Sequence, residues 1–190
     1  MKSFSPLFAV LLAGCLGADA TDLSMQLSET PFRQLPGVAL GMTAVRLHQL
    51  RPNAKYSPYF GMQEALPGYT VSYQFPSAVS DAKDADVAPL DELEGVFVTE
   101  MFDSMETAET KWRETVVALT RRRREPDLCE RFSAGGMQAR WAAGKTAIAI
   151  GAFPREPIAP AIGNRVVYAV SPINTMKQPP GATKMECPKP

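Results

Sequence analysis

The single histidine and the three cysteines are the residues best suited to chemistry in this 190-residue chain. A histidine acts as a general base only beside a nucleophile, and the sequence has no Gly-x-Ser-x-Gly turn to expose a catalytic serine. His48 follows Leu47 in a predicted helix, so we expect a partly buried structural side chain. One histidine and too few free cysteines also argue against a zinc site. We therefore predict no catalytic residues, no metal and no cofactor.

Acidic side chains cluster between Asp81 and Glu109, where ten acidic residues and one lysine stand. Clustered carboxylates are the ligands that Ca²⁺ prefers, and a pair such as Glu92 and Glu94 can also serve in glycoside hydrolysis. The segment lacks the Asp-x-Asp-x-Asp-Gly spacing of a calcium loop, so we predict a solvated acidic loop over residues 77–91.

Ala139 to Thr146 has the A-x-x-x-x-G-K-T spacing of a phosphate-binding loop. That loop needs a strand before it and a helix after it. The residues after Thr146 alternate as a strand does, so we predict a β-hairpin and no phosphate site.

Two groups of side chains are candidates for binding a partner. Cations at the end of a helix can bind anionic headgroups or an acidic partner, although they also stabilise the carbonyl end of the helix dipole. Aromatic side chains can line a partner groove, with core packing as the alternative. The candidate binding residues are Tyr56, Tyr59, Phe60, Arg121, Arg122, Arg123 and Arg124.

The first twenty residues have the composition of a secretion signal. Lys2 supplies a positive charge, and Phe4 to Ala13 is an apolar run too short to span a bilayer. Leu12-Ala13-Gly14-Cys15 resembles the bacterial lipobox, in which the cysteine is acylated and becomes the first residue. Ala18-Asp19-Ala20 resembles an ordinary cleavage site and stays as the alternative. We expect an exported protein that is anchored through a lipid on Cys15 and faces the periplasm or the cell exterior.

Export gives the other two cysteines a role. Disulfides form in oxidising compartments, so Cys129 and Cys187 are predicted to pair, with two free thiols as the alternative. Closing a loop of this length stabilises a fold by about 4 kcal/mol in the chain-entropy model. The bridge would hold the proline-rich tail, residues 176–190, against the body.

The predicted elements combine helices with runs of strands. Residues 1–14 form the signal peptide, residues 15–37 a flexible tether and residues 38–175 the domain. Adjacent strands pair antiparallel, so the predicted class is α+β, an antiparallel sheet with two helices on one face and possibly a duplicated helix–strand–strand unit. The elements are helices over 44–51 and 105–124, and strands over 69–75, 93–101, 137–141, 146–151 and 165–170.

Two families resemble parts of the chain. Gly41-Met42-Thr43, the short helix after it and the strand ending in Tyr73-Gln74-Phe75 resemble the BamE-like small outer-membrane lipoproteins. The doubled order of elements is similar to the β-lactamase-inhibitor-like tandem fold. The first resemblance covers residues 38–101 best, with Leu50-Arg51-Pro52-Asn53 in place of that family's Leu-Gly-x-Pro. It implies an outer-membrane location, whereas the second implies an inhibitor.

The balance of positive and negative charges argues against one class of function. Lys plus Arg number 20 and Asp plus Glu number 20, and this balance argues against a nucleic-acid-binding protein. We predict a non-catalytic envelope protein that binds another envelope protein and contacts the membrane through its lipid anchor. The alternatives are an inhibitor or immunity-type protein against a periplasmic or secreted enzyme, and a hydrolase that uses His48 or paired carboxylates.

Overall fold

A nine-stranded antiparallel sheet organises the described part of the chain. The computed structural model describes residues 22–57, 61–76, 89–155, 163–173 and 181–190. The proposed signal peptide, Cys15, Tyr59 and Phe60 lie outside the described residues. The strands are β1 Lys55–Ser57, β2 Gly61–Leu66, β3 Tyr69–Gln74, β4 Gly95–Phe102, β5 Leu128–Arg131, β6 Met137–Ala143, β7 Thr146–Phe153, β8 Asn164–Pro172 and β9 Thr183–Lys184. The helices are α1 Leu23–Gln26, α2 Ala44–Leu50 and α3 Met105–Arg122, with a 3₁₀ helix over Pro31–Gln34.

The strand order is β1-β2-β3-β4-β8-β7-β6-β5-β9, and every neighbouring pair is antiparallel. The predicted α+β class is therefore confirmed. β4 and β8 meet at the centre of the sheet, where Val98 lies opposite Tyr168. The strand that completes the centre thus comes from near the end of the sequence.

Both longer helices pack on the same face of the sheet. Trp112 of α3 donates its indole N–H to the carbonyl of Ile150 on β7 at 2.7 Å, and Arg51, the C-cap of α2, pairs with Glu64 on β2. The strand register places Glu64 and Ile150 in one row across the sheet, so their side chains point to one face. The rest of that row is Val71, Val98, Tyr168, Ala139 and Cys129.

Local signals explain both helices. Ser104 and Thr43 cap α3 and α2, because each side-chain oxygen accepts a backbone N–H three residues later. The predicted helix over 105–124 is confirmed as α3, and its apolar stripe of Ala108, Trp112, Val116 and Leu119 is buried. The helix is therefore held by its packed face as well as by its cap.

Residues 22–37 do not form the predicted tether. Leu23, Leu27, Phe32 and Leu35 are all buried in the same core as the sheet residues. The prediction was wrong because small and polar residues outnumber apolar residues in this segment. The segment turns at Pro31, and these four apolar side chains face the core. The folded body therefore begins at or before Asp22, whose carboxylate accepts the Gly37 N–H at 2.8 Å.

The structure has four strands that the sequence analysis did not predict. β1 and β2 lie within residues 53–67, and β5 and β9 were also not predicted. Gly68, at φ +80, closes the tight turn that brings β2 back onto β3. Hydrogen bonding to a neighbouring strand, more than side-chain preference, makes this segment extended.

Each longer helix is followed by four strands. α2 precedes β1 to β4, α3 precedes β5 to β8, and the two sets run inward from opposite sides of the sheet to meet at β4 and β8. This is the order that a duplication would produce. The duplication itself stays a hypothesis.

Candidate functional site

Cys129 and Cys187 form the predicted disulfide. Their sulfur atoms lie 2.13 Å apart and their Cα atoms 5.3 Å apart. Cys129 is buried on β5, and its carbonyl accepts the backbone N–H of Met185 at 2.9 Å. The bridge and the short strand β9 together hold the described part of the tail, residues 181–190, against the edge of the sheet.

Two shallow pockets lie near this edge. The larger, of about 250 Å³, runs between β5 and the tail and is lined by charged side chains that include Glu125, Lys184 and Glu186. The smaller, of about 170 Å³, is lined mainly by apolar side chains such as Trp141 and Ile173. No histidine lines either pocket. The larger pocket has three acidic residues, of which Asp127 pairs with Arg124 and Glu186 with Lys189.

Three of the four candidate arginines contact other parts of the chain. Arg122 pairs with Glu29 and donates to the Ser28 hydroxyl at 3.1 Å, and Arg123 donates to the Gln26 carbonyl at 2.6 Å. The end of α3 is therefore fastened to the first described residues. The Arg121 side chain is exposed and makes no hydrogen bond or ion pair with any other described residue.

Arg124 points the other way, towards the strands. It holds the carboxylate of Asp127 with two nitrogens, at 2.5 and 2.8 Å, and also donates to the Ala142 carbonyl at 3.0 Å. The hydrogen bond from Arg124, joined by the Ala142 N–H, lowers the pKa of Asp127 below its usual value. Arg124 is thus a connection between α3 and the β6 strand.

Tyr56 lies far from the arginines. It is half-buried on the edge strand β1, and its hydroxyl is buried without a hydrogen-bond partner among the described residues. Arg124 contacts β6, which is six positions from β1 in the sheet order, or about 28 Å at the usual strand spacing. Arg124 and Tyr56 therefore do not belong to one site in the described structure.

A buried carboxylate that the sequence analysis missed lies under the end of α2. Glu64 accepts the Arg51 Nε–H at 2.8 Å and the Tyr73 hydroxyl at 2.5 Å, and its side chain is 3% exposed. Burial, and then the hydrogen bond to Glu64, raises the pKa of Tyr73 well above its usual value. Tyr73 therefore stays protonated, and the three side chains satisfy one another.

Two other acidic side chains are held by neighbouring strands. Glu100 accepts the Tyr168 hydroxyl at 3.0 Å on the helix-covered face. Burial, and then the charge of Glu100, raises the pKa of Tyr168. On the opposite face Glu130, 1% exposed, pairs with Arg140 at 3.0 Å, and its second oxygen has no hydrogen-bond partner among the described residues. The face of the sheet on which Glu130 lies follows from its pairing with Gln138 between β5 and β6, and the sequence does not show that pairing.

The remaining sequence candidates are dispersed. His48 is exposed on α2, which corrects the expectation of a partly buried side chain, because residue 47 and not residue 48 faces the core. Glu92 and Glu94 are exposed as well. Ala143 to Thr146 forms the turn of the β6–β7 hairpin, so the prediction of a hairpin over the phosphate-loop pattern is confirmed.

The described residues contain no group of three or more His, Cys, Asp or Glu side chains placed to hold a metal ion. No described helix combines the length and the apolar character needed to cross a membrane.

No protein-family model matches the chain, and neither a curated protein nor a solved structure is detectably similar to it.

Proposed function

We propose that this chain is an exported, lipid-anchored and non-enzymatic protein of the cell envelope that acts by binding another envelope protein. The observation that carries the proposal is the Cys129–Cys187 pair, because a disulfide that closes most of the C-terminal half suits an oxidising compartment. The lipobox-like Leu12–Cys15 sequence adds the anchor.

The buried polar groups support a binding role over a catalytic one. Glu64, Glu100 and Glu130 each have a tyrosine or arginine partner from a neighbouring element. Such carboxylates join elements of the fold, whereas a catalytic carboxylate faces a cleft that can admit a substrate.

The first experiment tests export and lipidation. The mature protein is purified from membranes, and its mass is compared with that of a Cys15→Ala variant. We expect a chain that starts at an acylated Cys15, and a variant that leaves the membrane fraction. A chain that keeps Met1 and carries no lipid would contradict the proposal, and one that starts at Thr21 would leave export without the anchor.

The second experiment tests binding. The mature domain, immobilised with its disulfide intact, is used to capture proteins from envelope extracts, and the reduced and alkylated domain is the matched control. We expect one envelope protein to be retained in similar molar amount by the oxidised form alone. Equal recovery on both forms would show that the capture does not depend on the fold.

A further inference from the structure

An exposed apolar side chain, Met25, lies close to the start of the described residues. Asp22 is fixed by the Gly37 N–H, and Leu23 donates its N–H to the Val38 carbonyl at 2.9 Å, so the entry of the chain into the body is held in place. α1 follows at once, and its Met25 is 78% exposed. A large apolar side chain this exposed lies three residues from the entry point.

The last turn of α3 contacts the residues that follow Met25. Arg123 reaches the carbonyl of Gln26, which follows Met25 in α1, and Arg122 reaches Ser28 and Glu29. We call the surface formed by Met25, Arg121, Arg122 and Arg123 the basic corner.

The basic corner has more positive than negative charge. Glu29 compensates Arg122, and Asp127 compensates Arg124 just outside the corner. Arg123 binds a neutral carbonyl, and Arg121 has no carboxylate partner among the described residues. The nearby Glu125 acts on Lys189, whose pKa is raised first by Glu186 and to a smaller extent by Glu125. Two guanidinium charges therefore remain for an external anion.

The short stretch of chain between Cys15 and Asp22 limits how the body can be oriented relative to a lipid on Cys15. Asp22 follows Cys15 by seven positions, and even a fully extended chain spans at most about 25 Å over that distance. A domain of this size is about 40 Å across, so a lipid on Cys15 keeps the side of the body around Asp22 towards the membrane. The basic corner belongs to that side.

We propose that the basic corner is a docking surface for an anionic membrane, with Met25 entering the headgroup region and Arg121 and Arg123 pairing with lipid phosphates. The proposal rests on the lipid anchoring proposed above. It gives the anchored body a defined orientation, with the end of α3 at the bilayer.

The test uses the unacylated mature chain, with Cys15→Ser, and vesicles of phosphatidylcholine alone or with an equal amount of phosphatidylglycerol. The measurement is the partition coefficient from co-sedimentation. We expect binding to the anionic vesicles only. Arg121→Gln should weaken it about fivefold, since one cation near an anionic surface has roughly that effect, and Met25→Asp should weaken it as well.

Arg113→Gln is the matched control, because Arg113 is also an exposed arginine of α3 but lies more than two turns before its end. Absence of binding, equal binding to neutral vesicles, or an equal loss with Arg113→Gln would overturn the docking surface. Because this chain cannot be acylated at residue 15, the result does not depend on the lipidation experiment. Vesicle binding by a protein that proves unacylated in cells would refute the anchor alone.

Discussion

At the scale of single residues, the Arg51–Glu64–Tyr73 cluster shows how a charge is kept inside this fold. Glu64 is buried away from water. The Arg51 guanidinium and the Tyr73 hydroxyl supply the hydrogen bonds that water would otherwise make. Burial has the largest single effect on the pKa of Arg51 and lowers it, but the hydrogen bonds and charges of Glu64 and Tyr73 together raise this pKa above its usual value. The cluster fastens the end of α2 to the sheet.

Removing the Glu64 charge should therefore destabilise the protein strongly. We expect Glu64→Gln to lower the free energy of unfolding by about 3 kcal/mol, since breaking a buried pair leaves Arg51 without its anion. Urea denaturation measures the change. Glu94→Gln, at an exposed position, is the control and should change stability by less than about 0.5 kcal/mol. Similar small effects from both variants would mean that Glu64 is not buried under α2.

Asp127 provides a pH-dependent contribution. Its pKa is lowered in the folded state, so its stabilising effect is complete above the unfolded pKa of about 4 and is lost as the pH falls through the folded value. We expect Asp127→Asn to destabilise the protein by under about 1 kcal/mol at pH 7, because the pair is partly exposed. Denaturation at pH 7 and near pH 2 tests this, and a difference from wild type that persists at the lower pH would contradict it.

At the scale of elements, the first described segment, residues 22–37, differs most from its predicted role as a tether. Its 3₁₀ helix begins with Pro31 and buries Phe32, and Arg122 and Arg123 of α3 hold the residues before it. Residues that were predicted to connect an anchor to a domain thus form part of the core.

A single substitution distinguishes a tether from a packed segment. We expect Phe32→Ala to lower the free energy of unfolding by about 3–5 kcal/mol, because it leaves a cavity in the core. Met25→Ala, at an exposed position in the same segment, should have almost no effect on stability. Chemical denaturation measures the free energy of unfolding of both variants. Equally small effects of the two substitutions would contradict the packed segment and favour a tether.

The elements that could be predicted are those with strong local signals. α3 has a capping serine and an apolar stripe, and β6 and β7 flank a Gly144 turn, so both followed from neighbouring residues alone. β2 and β5 are short and carry buried acidic residues, Glu64 and Glu130, which mask any alternation of polar and apolar side chains. Their extended form depends on partners far along the chain.

The same distinction applies to the candidate sites. The disulfide could be predicted because only two cysteines remain once the proposed signal is set aside. The contacts of Arg122 and Arg123 could not, since their partners in residues 26–29 lie more than 90 positions earlier in the chain. A run of like charges in a sequence does not show which members are already paired.

At the scale of the whole molecule, the disulfide joins the tail to the sheet across 58 positions. We expect the Cys129→Ser and Cys187→Ser double variant to lose about 4 kcal/mol of stability, because its unfolded chain is no longer closed into a loop. Thermal unfolding with and without reductant measures this for the natural chain. The double variant should not respond to reductant, and an unchanged melting temperature for the reduced natural chain would contradict the prediction.

The central place of β8 has a consequence for the order in which the sheet forms. The two halves of the sheet cannot join until residues 164–172 have been synthesised, because β8 alone lies between β4 and β7. The pairing that unites them therefore spans a long stretch of sequence, and such non-local pairing is slow to form. The complete nine-stranded sheet is available only to a chain that is almost fully made.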